Sequence, residues 1–388
     1  MTGRIGKAPR RRYLLAVTAA VLVGAVSAPS AAGADTEGRR GDGVQRGLDV
    51  LVGQDKFTGA LAAVSSRDGR TRDYTAGASD RETGKKVPVD GRIRIGSNTK
   101  TFTATVVLQL VGEGKIELDE PVETYLPGVV RGKGGDGRKI TVRQLLQHTS
   151  GLPDYVDPVM GGDFVGNYLS LRHTYFEPRQ LTDTALQQPP SSGWSYSNTN
   201  YIIAGLLVQR VTGRPIGEEI TTRIIDRIGL RDTYWPQLGE QDLRGKHPKG
   251  YFATKDGNLV DVTRQDISMA WAAGALVSTP SDVTRFFSAL VGGKLLRPQE
   301  LAEMQSTVDA PGFDTVGGSR YGLGIATFKL SCGGQAWSHG GNTPGYTIVN
   351  GATTDGRAAS VAVTALPSTI EGLKHLDETL DSALCQGK

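Results

Sequence analysis

Ser97 and Lys100 stand three residues apart at the head of a long apolar run, in the order Ser97-Asn98-Thr99-Lys100. Residues three apart share one face of a helix, about one turn from each other. A serine in the first turn also lies near the positive end of the helix dipole, where backbone N–H groups lack intrahelical partners. The arrangement offers a hydroxyl nucleophile, an amine to take its proton and donors for a developing oxyanion. A free serine hydroxyl is too weak an acid to attack a carbonyl unaided, so a base is required. Lysine shifts its pKa readily when buried, which makes Lys100 a candidate. Ser-x-x-Lys alone recurs by chance in a chain of 388 residues, so its weight depends on its company.

Two further segments supply that company. Tyr196-Ser197-Asn198 sits in a loop just before an apolar helix, and His339-Gly340-Gly341 follows a short strand and precedes Asn342-Thr343-Pro344-Gly345. Taken singly, Asn198 reads equally well as a helix N-cap, and a lone histidine reads as structural. In this order, however, the three motifs resemble the serine enzymes that recognise penicillin. They are most similar to the D-alanyl-D-alanine carboxypeptidase and class C β-lactamase group, whose second motif is Tyr-x-Asn and whose third is Lys-Thr-Gly or a His-x-Gly variant. Tyr125-Leu126-Pro127-Gly128, Ile140-Thr141-Val142-Arg143-Gln144, Tyr321-Gly322-Leu323-Gly324 and Leu330-Ser331-Cys332-Gly333 extend the resemblance over nearly the whole mature chain. Within the group it is nearest to the secreted Streptomyces D-alanyl-D-alanine carboxypeptidases.

The resemblance implies roles. Ser97 becomes the nucleophile, with Lys100 or Tyr196 as the base and Tyr196 as proton relay to the leaving group. Asn198 holds Lys100 and the substrate amide. The backbone N–H groups of Ser97 and Asn342 form an oxyanion hole, and Gly340 and Gly341 leave the strand edge open to an extended substrate. His339 replaces lysine beside the Tyr196 hydroxyl; with the ordinary histidine pKa of about 6.5, it is expected to make acylation change between pH 5 and 8. The carboxypeptidases grip the substrate's terminal carboxylate with an arginine and hydroxyl residues, whereas the matching positions here are Ala326, Gly340 and Asn342. Their cleft tryptophan is matched by Met269, with Trp271 close by. The implied substrate is a peptidoglycan stem peptide losing its terminal D-alanine, with β-lactams as inhibitors, no metal and no cofactor. The rivals are a related esterase, D-amino-acid peptidase or β-lactamase with another acyl substrate, and a penicillin sensor that does not turn over.

Bringing three distant segments together requires a specific scaffold. The resemblance implies an α/β (α+β) fold of the β-lactamase/transpeptidase type, an antiparallel sheet flanked by helices with an inserted all-helical lobe. Local patterns predict a helix over 44–52 and strands over 57–65 and 72–76 around Arg67-Asp68-Gly69. Gly96 leads into a helix over 97–111 with Phe102, Val106 and Leu110 on one stripe. Thr141 caps a helix over 142–147 that ends at His148-Thr149-Ser150-Gly151, where His148 stabilises the turn. The glycine-rich stretch 154–166 reads as a flexible rim, and Gly132, Gly134 and Gly135 as a surface loop. Helices follow over 201–211, begun by Asn198 or Thr199, and over 282–290, capped near Thr279 or Ser281. Strand patterns return over 322–330, 335–338, 346–352 and 358–366. The capping box Ser368-Thr369-Ile370-Glu371 opens a last helix with Leu373, Leu376 and Leu380 on one face. Strands at both ends give a sheet lobe of about 44–112 and 285–388, a helical lobe of about 113–284 and a cleft between them.

Composition sets the remaining bounds. With 38% hydrophobic and 22% charged residues the chain can bury a large core, and a net charge of +4 without dense basic tracts gives no support to nucleic-acid binding. Five scattered histidines and no His-Glu-x-x-His motif argue against a zinc site, and no Gly-x-Ser-x-Gly elbow is present. Arg10, Arg11 and Arg12 precede an apolar run over 13–26 and the site Ala32-Gly33-Ala34, which reads as a signal peptide over 1–34. The run falls short of the roughly 20 residues of a span, so the mature chain, 35–388, is expected to be secreted, monomeric and without a stable membrane anchor. Export favours a disulfide between Cys332 and Cys385 over two buried free thiols. The resemblance implies the same pair, and closing that loop is worth about 4 kcal/mol by chain entropy.

Overall fold

The computed structural model describes residues 43–313 and 319–386. The segment read as a signal peptide lies outside the described residues. Nine strands form one antiparallel sheet among the described residues. Across it run Thr71–Gly77, Gly59–Ser65, Ala358–Val363, Tyr346–Ala352, Gln335–Ser338, Ala326–Lys329, Arg320–Tyr321 and Val308–Asp309, with Gly341–Thr343 paired to Tyr346–Ala352. Ala62 faces Tyr74 on one neighbour and Val361 on the other, so strands from the two ends of the described chain lie side by side.

The two faces of the sheet follow from strand alternation. Ala60 and Ala62 point to one face, where Gly43–Gly53 and Ile370–Cys385 pack and bury Val44, Leu48, Leu51, Leu376, Leu380 and Leu384. Leu61 points to the other, into the larger core shared with Pro280–Val291 and the helices beyond. Cys332 and Cys385 meet at an S–S distance of 2.07 Å, tying the last helix to the turn after Ala326–Lys329.

Helix caps account for several boundaries. Thr141 and Gln144 form a reciprocal capping box at Val142–Gln147. Thr279 accepts from the Asp282 N–H at the start of Pro280–Val291. The last helix begins one residue later than its capping pattern suggested: Thr369, not Ser368, accepts from the Gly372 N–H.

Three expectations change. Asn98–Gly112 is not one-sided, because Phe102, Val106 and Leu110 share burial with Thr101, Thr103 and Thr105 on the other faces. Those hydroxyls are satisfied by the carbonyls of Gly324, Ala272 and Thr101, so a mixed sequence can run through the core. The strand expected over 322–330 is shortened to Ala326–Lys329 by a turn at Gly324, φ +77°, where a Cβ would lie 2.4 Å from that of Ala104. The expected flexible rim over 154–166 instead holds helix Val156–Val159 and the start of Phe164–Leu171, because Tyr155, Met160 and Tyr168 supply buried anchors between its glycines.

Candidate active site

Ser97 caps Asn98–Gly112, yet its hydroxyl makes no capping bond and remains free for other work. One turn on, the Lys100 side chain is fully buried. Its Nζ lies 3.0 Å from Ser97 Oγ, 2.7 Å from Asn198 Oδ1 and 2.9 Å from the Ala273 carbonyl oxygen. Two of these partners, a carbonyl and an amide oxygen, can only accept. A neutral amine has two N–H bonds for them and one lone pair left, and that lone pair faces the Ser97 hydroxyl. Burial lowers the Lys100 pKa from its ordinary 10.5 to about 7, against the opposing attraction of Asp154. Near neutrality the amine can therefore take the serine proton.

Tyr196 meets the same hydroxyl from the helical side. Burial raises its phenol well above the usual value, and the hydrogen bond with Ser97 only partly opposes this. Tyr196 thus rests protonated and can pass a proton on. Lys100 Nζ lies 4.9 Å from the centre of its ring, a cation–π distance whenever the amine is charged.

The third motif packs against the nucleophile loop through glycines. Gly96 adopts φ +49°, and a Cβ there would lie 2.7 Å from the Asn342 carbonyl oxygen. A Cβ on Gly341 would lie 2.0 Å from the Ile95 carbonyl. Two bare backbones in contact set the segments carrying the Ser97 and Asn342 N–H groups side by side. Asn342 falls on strand Gly341–Thr343. Asn350 fastens the same junction, donating to Asn98 Oδ1 and to the His339 carbonyl (2.7 Å).

The hydrogen bonds of His339 go to partners that the motif alone did not name. Its Nδ1 lies 2.7 Å from the Gly340 carbonyl and must be the donor there, so Nε2 accepts from the Tyr321 hydroxyl at 2.9 Å. Its hydrogen bond therefore goes to Tyr321, with the Tyr196 ring 6.3 Å away centre to centre. Burial, and then the Lys100 charge, lower its pKa to about 3. His339 stays neutral between pH 5 and 8 and cannot be the titrating group proposed from sequence.

Two supporting residues carry more than the sequence reading gave them: Asp154 had no role there, and His148 only that of stabilising its turn. Asp154 accepts from the backbone N–H and side-chain Nδ2 of Asn198, both through Oδ2 (3.0 and 2.8 Å). Asn198 is the first residue of its helix, after Ser197 at the cap, so its side chain is free to bridge Asp154 and Lys100. His148, kept neutral by burial, accepts at Nδ1 from the Ser197 N–H (3.2 Å) and Asn200 Nδ2 (3.0 Å) and props the Tyr196 loop. The turn His148-Thr149-Ser150-Gly151 was the available signal, but what it touches depends on tertiary folding.

Of the three positions that replace the carboxylate grip, Ala326 is buried, Gly340 is half-buried and Asn342 is exposed. Phe313 stands 5.8 Å from His339, 5.9 Å from Tyr196 and 5.9 Å from Trp194, ring centre to ring centre. The described part of this wall is built from aromatic rings. Trp271 turns away from it, packing its ring on Gly205 of the helix Asn198–Thr212.

The sequence pattern of the family described as Beta-lactamase matches residues 44–383. The chain belongs to the β-lactamase family. It has the corresponding β-lactamase/transpeptidase-like fold. The D-stereospecific amidohydrolase from Streptomyces sp. superimposes with a TM-score of 0.80 at 36% identity, covering 89% of this chain and 98% of that one. The D-amino acid amidase from Ochrobactrum anthropi SV3 gives 0.74 at 27%, covering 88% and 96%. Penicillin-binding protein 4 of Amycolatopsis lactamdurans is 29% identical over 62% of this chain and 61% of its own length. The chain spans about half to three fifths of the length of the first curated relatives it matches.

Proposed function

We propose that this β-lactamase-family chain hydrolyses amide bonds of small D-amino-acid derivatives through an acyl-enzyme on Ser97, expelling an uncharged leaving group. The aromatic wall around Phe313, with Ala326, Gly340 and Asn342 where a carboxylate grip would stand, carries the choice of leaving group. Likeness to a D-stereospecific amidohydrolase and a D-amino acid amidase supports the acyl side.

In the proposed reaction, Lys100 takes the Ser97 proton as Oγ bonds to the carbonyl carbon. The oxyanion is held by the backbone N–H groups of Ser97 and Asn342. The C–N bond breaks as Tyr196 hands a proton to the departing nitrogen, and is reprotonated from Lys100. Water then attacks the ester by the same route, releasing the acid and restoring Ser97. Cleavage of a terminal D-alanine from a stem peptide stands second, favoured by the motif order and the penicillin-binding relatives. Export is part of the proposal, supported by Arg10–Arg12, the apolar run and Ala32-Gly33-Ala34.

The test compares D- and L-phenylalanine amide with a Lys-D-Ala-D-Ala peptide, measuring ammonia or D-alanine release. The proposal expects the D-amide to be turned over fastest and Ser97→Ala to be inactive. Preferential release of D-alanine would establish the second reading instead.

A further inference from the structure

Asp154 touches neither Ser97 nor the space above it, yet it is wired to both through one amide. Its Oδ2 receives two N–H bonds from Asn198 and its Oδ1 a third from the Val156 N–H at 2.9 Å. Three donors and no acceptor match an ionised carboxylate, which accepts only. That fixes a choice an asparagine does not make by itself. With Nδ2 drawn to Asp154, Oδ1 is turned to Lys100 Nζ, 2.7 Å away. Flipped, the amide would present N–H to the amine and leave it no acceptor there.

The order Asp154, Asn198, Lys100, Ser97 is thus a chain of hydrogen bonds from a buried charge to the nucleophile. We propose that Asp154 is a positioning residue for acylation: it sets the Asn198 amide so that Lys100 is aimed at Ser97. This rests on the reading of Ser97 as nucleophile and Lys100 as base.

Of the described groups around Lys100, Asp154 alone is ionised, its three donors opposing the rise that burial imposes on its pKa. Tyr196 and Tyr201 present rings at 4.9 and 5.6 Å and stay protonated, Ala273 presents a carbonyl, and His148 and His339 are held neutral by burial. The attraction of Asp154 raises the Lys100 pKa against the lowering by burial. Without that charge the amine gives up its proton at lower pH.

The test is the rate of acylation against pH, read by stopped-flow with an activated D-amino-acid ester or a labelled penicillin. In Asp154→Asn the charge is gone and the new NH2 meets either the Val156 N–H or the Asn198 donors. The expected result is an acid limb moved to lower pH and a plateau about tenfold below wild type, with KM little changed. Asp154→Glu keeps the charge one methylene out of place and serves if the first variant does not fold; it should lower the plateau while leaving the limb near its wild-type position. Because Asp154 acts through Asn198, the losses in Asp154→Asn and Asn198→Ala should fall well short of additive in the double variant. An acid limb and plateau matching wild type in Asp154→Asn, or additive losses, would overturn the proposal. Failure of the underlying reading looks different: wild-type protein would then not acylate, or Ser97→Ala still would.

Discussion

Gly96 and Asn342 meet backbone to backbone, with space for no side chain between them: a Cβ on Gly96 would sit 2.7 Å from the Asn342 carbonyl oxygen. Gly96 also holds φ +49°, which L side chains rarely adopt. Gly96→Ala should therefore cost about 1–3 kcal/mol of stability. It should cost proportionally more activity, because relief of the clash moves the Ser97 N–H away from the Asn342 N–H. Urea unfolding beside acylation rates checks both; a variant as fast as wild type would show that the spacing does not matter.

Lys100 carries a thermodynamic signature independent of activity. Its folded pKa of about 7 lies below its ordinary 10.5, so its contribution to stability is fully present above 10.5 and is lost as pH falls through about 7. Between these values the unfolded chain holds a proton that the folded chain does not. Wild type should therefore gain on Lys100→Met by up to about 1.4 kcal/mol per pH unit as pH rises through that window. Urea midpoints of both proteins at pH 7, 8.5 and 10 give the difference. A flat difference would mean that Lys100 titrates normally.

His339 should remain in one neutral form, protonated at Nδ1, from pH 5 to 8. Imidazole nitrogen shifts measured by NMR across that range should not move. His339→Gln can still donate to Gly340 and accept from Tyr321, so the acid limb of acylation should persist near pH 7, at a reduced rate. Loss of that limb in the variant would return the pH control to His339.

Leaving groups should be sorted by charge. With an aromatic wall at Phe313, and with Ala326, Gly340 and Asn342 supplying no charged side chain, a substrate ending in a free carboxylate forgoes a charge-assisted bond from these positions. The corresponding neutral amide should then be preferred by roughly tenfold in kcat/KM. Steady-state kinetics on a matched D-alanyl-D-alanine and D-alanyl-D-alanine amide pair decides it. An equal or reversed preference would contradict the neutral leaving group.

Much of the scaffold was legible because it rests on local signals. Thr141 with Gln144, Thr279 and the apolar strand near residue 60 each act within a few residues of themselves. The contacts joining Ser97, Lys100 and Asn198 also fell where the motif order implied. What stayed hidden depends on distant groups. Asp154 sat in a stretch that read as a flexible rim, and only folding brings Asn198 onto it. His339 looked titratable because histidine usually is; its burial, and the Tyr321 hydroxyl on its Nε2, cannot be counted from sequence. The threonines of Asn98–Gly112 hid the fact that this helix is enclosed on every side.

The central claim is that Ser97 becomes acylated. An activated D-amino-acid ester, acid-quenched within the first turnover and followed by intact-mass and peptide mass spectrometry, reads it directly. The account predicts one acyl group per chain, on the peptide holding Ser97-Asn98-Thr99-Lys100, and none in Ser97→Ala. An acyl group on another residue, or one that survives in Ser97→Ala, would contradict it.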